Sequence, residues 1–447
     1  MHCISLVLSR RLVAVLTSSA VTECDPVLLY NRLHVECKGM ATINLDNPSL
    51  EEIGSTYKNI PEVDSKFQLK FVMFFGRHGA RTPIRTLPNV EQVLWDKETI
   101  FSGAEHTEID YEICSLDGGS RPEPVVENIY RKVILNGGAF GGQLTGVGMK
   151  QAYQLGQSLK SYYVDQLKFL SSEFTAKDIY IRSTNINRCI ETGRCVIAGV
   201  YGKQLKSNSV EPLKVHVDHA NREVLYPQEH LHPSLKQMWH QAQHAPDFIP
   251  GSAALIKKVK ELLALPDDDK RIDLTGVKDD LSTRMVHGFP IPPQFGNDVI
   301  ESLKEMSPKV LQYALGGPPG EQVKYLPISI GTLLHLIREV FQKLKEGKLK
   351  EKMHLYFCHD TTLTALLVAL GIFDGDWPPL CCSISLEVYQ GVDDKLYTRV
   401  LYRGKVQRMF RKADELLPLD TVMEELRPFS ITWDEFLLSA QRAQEMR

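Results

Sequence analysis

Apolar stretches bounded by polar or turn-forming residues divide the chain into predicted strands and helices. Residues 66–75 form an almost continuous apolar run, which is typical of a strand buried on both faces of a parallel sheet. Later runs of similar character predict further strands at residues 178–182, 352–358, 384–389 and 396–402. The predicted strands therefore fall in the first and last parts of the chain.

Helical patterns lie between these strands. Thr145 can cap a helix that runs to about Tyr163, and further helices are predicted over residues 186–201 and 360–370. Because strand and helix alternate, the pattern predicts an α/β fold. Residues 202–350 differ, since they are rich in His, Pro and charge, with helical stretches at 255–265 and 331–344 set among loops.

The predicted fold is a mixed, mostly parallel sheet with helices on both faces and an inserted, mainly helical cap domain. We assign residues 66–201 and 351–447 to the α/β core, 202–350 to the cap, 38–65 to a lead-in and 1–37 to a targeting segment. At about 150 residues per domain, a chain of 447 residues has room for roughly three domains. An interrupted core reduces the number that fold independently.

Charge and hydropathy exclude two classes of protein. The chain has 52 basic and 55 acidic residues, a net charge of −3, and it has no basic stripe. A general nucleic-acid-binding protein would have a basic excess, so we expect no nucleic-acid partner. No run of 18 apolar residues occurs, so we expect no transmembrane segment. A bound anion would need positive charge concentrated in a pocket.

The N-terminus has the composition of a mitochondrial transit peptide. Residues 1–22 contain no acid, carry Arg10 and Arg11 and are rich in serine. A secretory or lysosomal destination is the alternative, although the apolar residues 12–16 are fewer than the roughly 7–15 that a secretory signal needs. An ordinary frayed terminus is the third interpretation. Nine cysteines, an odd number that includes the adjacent Cys381 and Cys382, favour a reducing or organelle interior.

Three segments place polar groups where a predicted strand ends. They are Arg77-His78-Gly79-Ala80-Arg81-Thr82-Pro83, Arg182-Ser183-Thr184 and His359-Asp360. Ligands of open α/β sheets bind beyond the carboxyl ends of the strands, so these segments could converge. Each also has a structural interpretation alone: Asp360 as a helix N-cap, Arg182 as a strand exit and His359 as a buried structural histidine.

Together, the three segments predict a phosphoryl-transfer site. Arg77, Arg81 and Arg182 offer planar forks that match phosphate oxygens, and His359 can donate a further hydrogen bond. His78 would attack phosphorus and form a phosphohistidine. Asp360 would protonate the departing alcohol and later help to activate water. The arginines would take the place of a divalent cation, so we expect neither a metal nor a cofactor.

This constellation resembles the acid phosphatase branch of the histidine phosphatase superfamily. The family motif R-H-G-x-R-x-P matches residues 77–83, the R-S-T pattern matches at Arg182, and the H-D motif matches at His359 and Asp360. Residues 137–145, 223–227 and 370–374 are similar to the lysophosphatidic acid phosphatases of this family. The resemblance implies a mitochondrial phosphatase that converts lysophosphatidic acid to monoacylglycerol and phosphate.

The substrate is open at the level of sequence. Leu87, Val90, Val93, Leu94 and Trp95 follow the first motif and could hold an acyl chain, or they could be ordinary core. A broad acid phosphatase acting on phosphotyrosine or small esters is the alternative enzyme. A non-catalytic lipid- or phosphate-binding protein is the alternative of a different class. We expect a small phosphate monoester as the partner, with a monomer favoured and the oligomeric state open.

Overall fold

The computed structural model describes Leu45 and residues 47–205, 212–245, 248–269 and 271–446. The predicted targeting segment, residues 1–37, lies outside these residues, as does the first part of the lead-in. The described strands are β1 (Phe67–Arg77), β2 (Tyr111–Ser115), β3 (Ile179–Ser183), β4 (Leu213–Val217), β5 (Met353–Cys358), β6 (Ser383–Gly391), β7 (Leu396–Tyr402), β8 (Lys405–Gln407) and β9 (Leu416–Pro418).

The strands form one nine-stranded sheet in the order β2-β4-β3-β5-β1-β6-β7-β8, with β9 paired to β7. The five strands from β2 to β1 are parallel, and β6 and the strands beyond it are antiparallel. This arrangement confirms the predicted mixed, mostly parallel sheet. It also brings the carboxyl ends of β1, β3 and β5 side by side.

The central strand β1 explains why its sequence is apolar throughout. Phe71, Met73 and Phe75 join the core on one face, and Val72 and Phe74 join the core on the other. Both sets are fully buried because helices cover both faces of the sheet. The helices of the first and last thirds are α1 (Leu50–Gly54), α2 (Lys97–Ile100), α3 (Val125–Tyr130), α4 (Gly146–Leu159), α5 (Asn187–Leu205), α11 (Asp360–Ala369), α12 (Leu419–Leu426) and α13 (Trp433–Glu445).

Five helices of the middle third complete the described set. They are α6 (Pro233–His244), α7 (Ser252–Leu262), α8 (Leu274–Val286), α9 (Asn297–Gly316) and α10 (Gln322–Lys345). Within the described ranges, no helix has the length and apolar character that crossing a membrane requires.

The predicted cap range, residues 202–350, needs a correction. Strand β4 lies within this range but pairs with β2 and β3 in the sheet. Its residues Leu213, Val215 and Val217 are buried in the core on one face of the sheet. Helix α10 also lies within it, and its Leu333 and Ile337 pack in the same core as β1. Richness in charge and proline therefore concealed two core elements. The remaining cap boundaries stay predictions.

Candidate active site

The segment that follows β1 is held tightly at the carboxyl edge of the sheet. The backbone N–H of His78 donates to Cys358 O at 3.2 Å, and the N–H of Cys381 donates to His78 O at 3.2 Å. Gly79 lies against the first turn of α4, where a Cβ atom would come within 2.4 Å of Gly148 O. Only glycine fits this close approach, so the glycine of the motif fixes the position of its histidine.

The hydrogen bonds of His78 determine which ring nitrogen is free. Its Nδ1 lies 2.9 Å from Gly79 O, to which an N–H at this position donates. Nε2 therefore carries the lone pair. Burial lowers the pKa of His78 well below its usual value, and the charges of Arg188, Arg77 and Arg81 lower it further. The imidazole is consequently neutral and nucleophilic even in mildly acidic solution.

Asp360 follows β5 and begins α11, with its carboxylate held by three donors. Arg77 Nη2 donates to Oδ2 at 2.7 Å, Trp377 Nε1 to Oδ2 at 3.1 Å, and the Thr361 N–H to Oδ1 at 2.9 Å. Burial alone would raise the pKa of Asp360, but the nearby charges, Arg77 first, lower it to about 2. The residue that caps α11 is His359, so the interpretation of Asp360 as an N-cap is wrong.

His359 connects the ends of β3 and β5. Its Nε2 lies 3.2 Å from Thr184 Oγ1, and its Nδ1 lies 3.5 Å from Arg188 Nη2. The rings of His359 and His78 are 5.6 Å apart in an edge-on arrangement. The structure therefore brings together the histidines of the first and third sequence segments, as predicted.

Arg188 lies at the site, in the place that the sequence motif predicted for Arg182. Arg182 lies inside β3, so its side chain projects to a face of the sheet, and its Nη2 donates to Glu223 Oε1 at 3.1 Å. Arg188 lies in the first turn of α5, beyond the edge of the sheet, and lines the cavity that contains His78 and His359. The prediction that Arg182 faces the site is therefore wrong. Two features of the sequence could have indicated this arrangement. Arg182 lies inside a predicted strand, and Arg188 lies in the first turn of the helix predicted over residues 186–201.

The guanidinium groups at the site retain unused hydrogen-bond donors. Arg77 Nε, Arg81 Nε, Arg188 Nε and Arg188 Nη1 are buried and have no partner in the described structure. A buried donor without a partner is costly, and the three arginines that carry these four donors are those whose charges lower the pKa of His78. The arrangement can bind a compact anion with several acceptor oxygens.

A comparison with known proteins agrees with this geometry. The model of the histidine phosphatase superfamily (branch 2) matches residues 68–403. The chain belongs to this family. This histidine phosphatase is 31% identical to lysophosphatidic acid phosphatase type 6 of Bos taurus over 406 residues, covering 89% of this chain and 92% of the relative. The Homo sapiens protein of the same name is 31% identical over 403 residues, with the same coverage.

A solved structure shows the same fold. The multiple inositol polyphosphate phosphatase of Bifidobacterium longum, in complex with inositol hexasulfate, superposes with a TM-score of 0.57 and 12% identity. The match covers 88% of this chain and 98% of that one. Because it belongs to this family and is similar to these phosphatases over most of its length, the chain is a histidine acid phosphatase, a hydrolase of phosphoric monoesters.

The cavity of this histidine phosphatase has a volume of about 360 Å³. Its lining includes five charged or catalytic side chains, namely His78, Arg81, Arg188, His359 and Asp360. The remaining wall is mainly apolar or aromatic and consists of Ile84, Val126, Tyr130, Ile186, Tyr226, Pro227, Trp239, Glu229, His230 and Thr361.

The apolar residues that the sequence suggested for an acyl chain do not line this cavity. Trp95 and Val93 are buried in a small separate core, where Trp95 packs on His287 and Phe289. Leu94 is 60% exposed, and Leu87 is buried. For Val93 and Trp95 the interpretation as ordinary core is therefore correct. The cavity wall comes instead from α3 and from residues near Tyr226, which sequence periodicity alone could not place beside the nucleophile.

Proposed function

We propose that this histidine phosphatase hydrolyses lysophosphatidic acid to monoacylglycerol and phosphate through a phosphohistidine at His78. The names of its relatives and the apolar wall beside the anion site support this substrate. The observation that carries the chemistry is the set of unpartnered guanidinium donors around a neutral imidazole. Arg77, Arg81, Arg188 and His359 bind the phosphate in this proposal, and Arg182 does not.

In the first step, His78 Nε2 attacks phosphorus while the bond between phosphorus and the glycerol oxygen breaks. The arginine forks stabilise the charge on the three equatorial oxygens. The leaving oxygen takes a proton from Asp360 and departs as the alcohol. In the second step, Asp360 accepts a proton from water, the water oxygen bonds to phosphorus, and the P–N bond breaks. Phosphate leaves, and His78 returns to its neutral form.

The low pKa of Asp360 sets a condition on the first step. Above pH 2, the free enzyme holds Asp360 as a carboxylate paired to Arg77. A bound phosphate competes for Arg77 and adds negative charge, so it raises this pKa and draws a proton to Asp360. The monoanion of a phosphate ester, whose second pKa is about 6, can supply that proton. Turnover should therefore decline from mildly acidic to alkaline pH.

The pH profile of a poor leaving group tests this role of Asp360. For wild-type enzyme acting on lysophosphatidic acid, kcat/KM should decrease above about pH 6 as the substrate monoanion disappears. Asp360→Asn should lower kcat strongly for this alkyl ester and much less for p-nitrophenyl phosphate, whose leaving group needs little protonation. A flat or rising wild-type profile, or equal losses on both esters, would contradict general-acid catalysis by Asp360.

A phosphate-release panel tests the reaction and the substrate together. Lysophosphatidic acid and p-nitrophenyl phosphate are supplied with EDTA present, because the proposed chemistry needs no metal. His78→Ala should reduce release to a trace, whereas the matched variant His240→Ala, at an exposed histidine on α6, should not. Substantial activity in folded His78→Ala would rule out the phosphohistidine route. Loss of wild-type activity in EDTA would rule out metal independence.

Broad acid phosphatase activity is the second candidate function. Tyr130, Tyr226 and Trp239 line the cavity and could stack on an aryl ester such as phosphotyrosine. A higher kcat/KM on p-nitrophenyl phosphate or phosphotyrosine than on lysophosphatidic acid would favour this candidate. Failure to release phosphate from any monoester would leave only the non-catalytic binding protein.

We also propose a mitochondrial location, which rests on the acid-poor composition of residues 1–22. The full chain with a fluorescent C-terminal tag should co-localise with a mitochondrial marker. Arg10→Glu with Arg11→Glu should abolish this import. A secretory or lysosomal distribution of the wild-type protein would overturn the proposal.

A further inference from the structure

The cap helix α8 contacts the nucleophile segment through two consecutive carboxylates. Asp279 makes a bidentate ion pair with Arg81: Nη2 donates to Oδ1 at 2.8 Å, and Nη1 donates to Oδ2 at 3.1 Å. Asp279 also accepts from the N–H of Ile84 at 3.3 Å. Asp280 accepts from the N–H of Leu87 at 3.1 Å. Two consecutive residues of the cap thus bind the side chain of Arg81 and the backbone of the segment that follows it.

The ion pair determines which edge of Arg81 remains available. Nη1 is fully used, because it also donates to Thr82 O at 3.0 Å. Nε is buried and has no partner, and Nη2 has a second N–H beside it. The free fork therefore consists of Nε and one N–H of Nη2, a geometry that matches two phosphate oxygens. Arg81 is 5% exposed and lines the cavity with His78.

Helix α8 is itself held in place by an ion pair and hydrogen bonds, so it can fix the orientation of Arg81. Asp280 forms a buried ion pair with Arg284 one turn later, with Nε donating to Oδ1 at 2.5 Å. At its end, His287 Nε2 lies 2.8 Å from Thr145 Oγ1, and that hydroxyl caps α4 and contacts Ala80 O. The helix is thus bonded directly to the segment after Arg81, and it is linked to Ala80, before Arg81, through Thr145. A bidentate partner on such a support restricts the arginine to one orientation.

We propose that Asp279 is a positioning residue for phosphoryl transfer: it holds Arg81 by one fork so that the other faces the transferring phosphate. The inference rests on the proposed phosphate-binding role of Arg81 and extends it to the cap. Misplacement of a catalytic group by about 1 Å can cost a factor of 10² in rate. The carboxylate also offsets part of the positive charge around His78, so its loss should not weaken anion binding by electrostatics alone.

Asp279→Asn tests the proposal, because its effects on kcat and on phosphate binding can be measured separately. The amide keeps the size of the side chain but can accept from only one of the two N–H groups. We expect kcat on p-nitrophenyl phosphate to decrease about 10- to 100-fold, while the Ki of inorganic phosphate stays the same or decreases. Asp298→Asn is the matched control, because it removes an exposed ion pair with Lys258 from another cap helix. Its kcat should equal that of wild type.

A double-mutant cycle with Arg81→Ala distinguishes positioning from a general loss of structure. If Asp279 acts through Arg81, then adding Asp279→Asn to Arg81→Ala should change kcat/KM less than twofold. An equal loss in both backgrounds, or a single variant within twofold of wild type, would overturn the inference. Where Asp279→Asn folds poorly, Asp279→Glu supplies the same cycle with the charge retained. Wild-type activity in Arg81→Ala would instead contradict the proposed function itself.

Discussion

Arg182 and Arg188 are both buried arginines near the carboxyl edge of the sheet, yet their surroundings are opposite. Arg182 faces two carboxylates, Glu223 at 3.1 Å and Asp218 at 3.9 Å. Arg188 stacks over the ring of Tyr130 and forms no ion pair with a carboxylate in the described part of the chain. Nε lacks a partner in both arginines, and Nη1 of Arg188 also lacks one. Because buried charge requires compensation, the fold neutralises Arg182, whereas Arg188 is left for an anionic ligand.

The comparison separates two uses of the same residue type. The pair between Arg182 and Glu223 supports the loop beside the cavity, since Glu223 also accepts from the N–H of Leu225, next to Tyr226. Arg188 instead contributes directly to the cavity and lowers the pKa of both His78 and His359. A motif therefore identifies the region of the site, but the partners of each arginine decide its role.

The largest expected effect is on catalysis. Arg188→Ala should lower kcat/KM on p-nitrophenyl phosphate by about 10³, because removing a guanidinium from developing phosphoryl charge has costs of this order. Arg182→Lys, which keeps the charge facing Glu223, should lose less than about tenfold. Steady-state kinetics on folded variants measure both. A larger loss in Arg182→Lys than in Arg188→Ala would reverse the assignment of the two arginines.

The second effect is on stability, and here the Arg182 variant should show the larger loss. Arg182→Ala should lower the free energy of unfolding by about 3–5 kcal/mol, because it leaves Glu223 buried without its charge partner. Arg188→Ala should change this free energy much less, since no carboxylate among the described residues forms an ion pair with Arg188. Urea unfolding followed by circular dichroism compares them. Equal destabilisation by the two variants would show that Arg188 also has a structural partner.

Much of the fold could be predicted from hydrophobic pattern alone. The strand predicted at 396–402 coincides with β7, and the run at 66–75 is β1, because burial on both faces leaves a continuous apolar segment. Strand β4 was missed because only alternate residues of Leu-Lys-Val-His-Val are buried, in a region rich in polar residues. Short strands of this kind depend on partners that are distant in sequence.

The site could be predicted as far as the strand ends define it. Arg77 is the last residue of β1, and His78 and Arg81 come shortly after it. His359 and Asp360 follow β5 directly, and the pairing of β1 with β5 brings the two groups together. The remaining features depend on packing between distant segments, such as the approach of Asp279 from the cap to Arg81. Arg188 is an intermediate case, because a helix that starts at the carboxyl edge directs its first turn toward the site.

The third effect is on ligand binding. Inorganic phosphate at 100 times its Kd should raise the free energy of unfolding of the wild type by about 2.7 kcal/mol. Arg188→Ala should lose most of this stabilisation, and Arg182→Lys should keep it. Thermal unfolding with a phosphate titration, at constant ionic strength, gives the result. Full protection of Arg188→Ala by phosphate would show that its free donors do not bind the anion.

The smallest effect concerns the pH dependence of stability. The folded protein disfavours protonation of His78 and His359, because burial and then the charge of Arg188 lower both pKa values. Below the unfolded pKa of about 6.5, the unfolded chain takes up the protons first, so stability decreases as pH falls. Between pH 7 and 5.5, each histidine that stays neutral should cost about 1 kcal/mol.

This pH effect should depend on Arg188 and not on Arg182. Removing the charge of Arg188 lets both pKa values rise toward the ordinary value, so Arg188→Ala should lose less stability on acidification than the wild type does. Arg182→Lys should lose as much as the wild type, because Arg182 is not among the main charges that lower the pKa of either histidine. Urea unfolding at pH 7 and 5.5 gives one difference for each protein, which removes any shift in overall stability. Equal differences in all three proteins would mean that the charge of Arg188 is not needed to keep the histidines neutral.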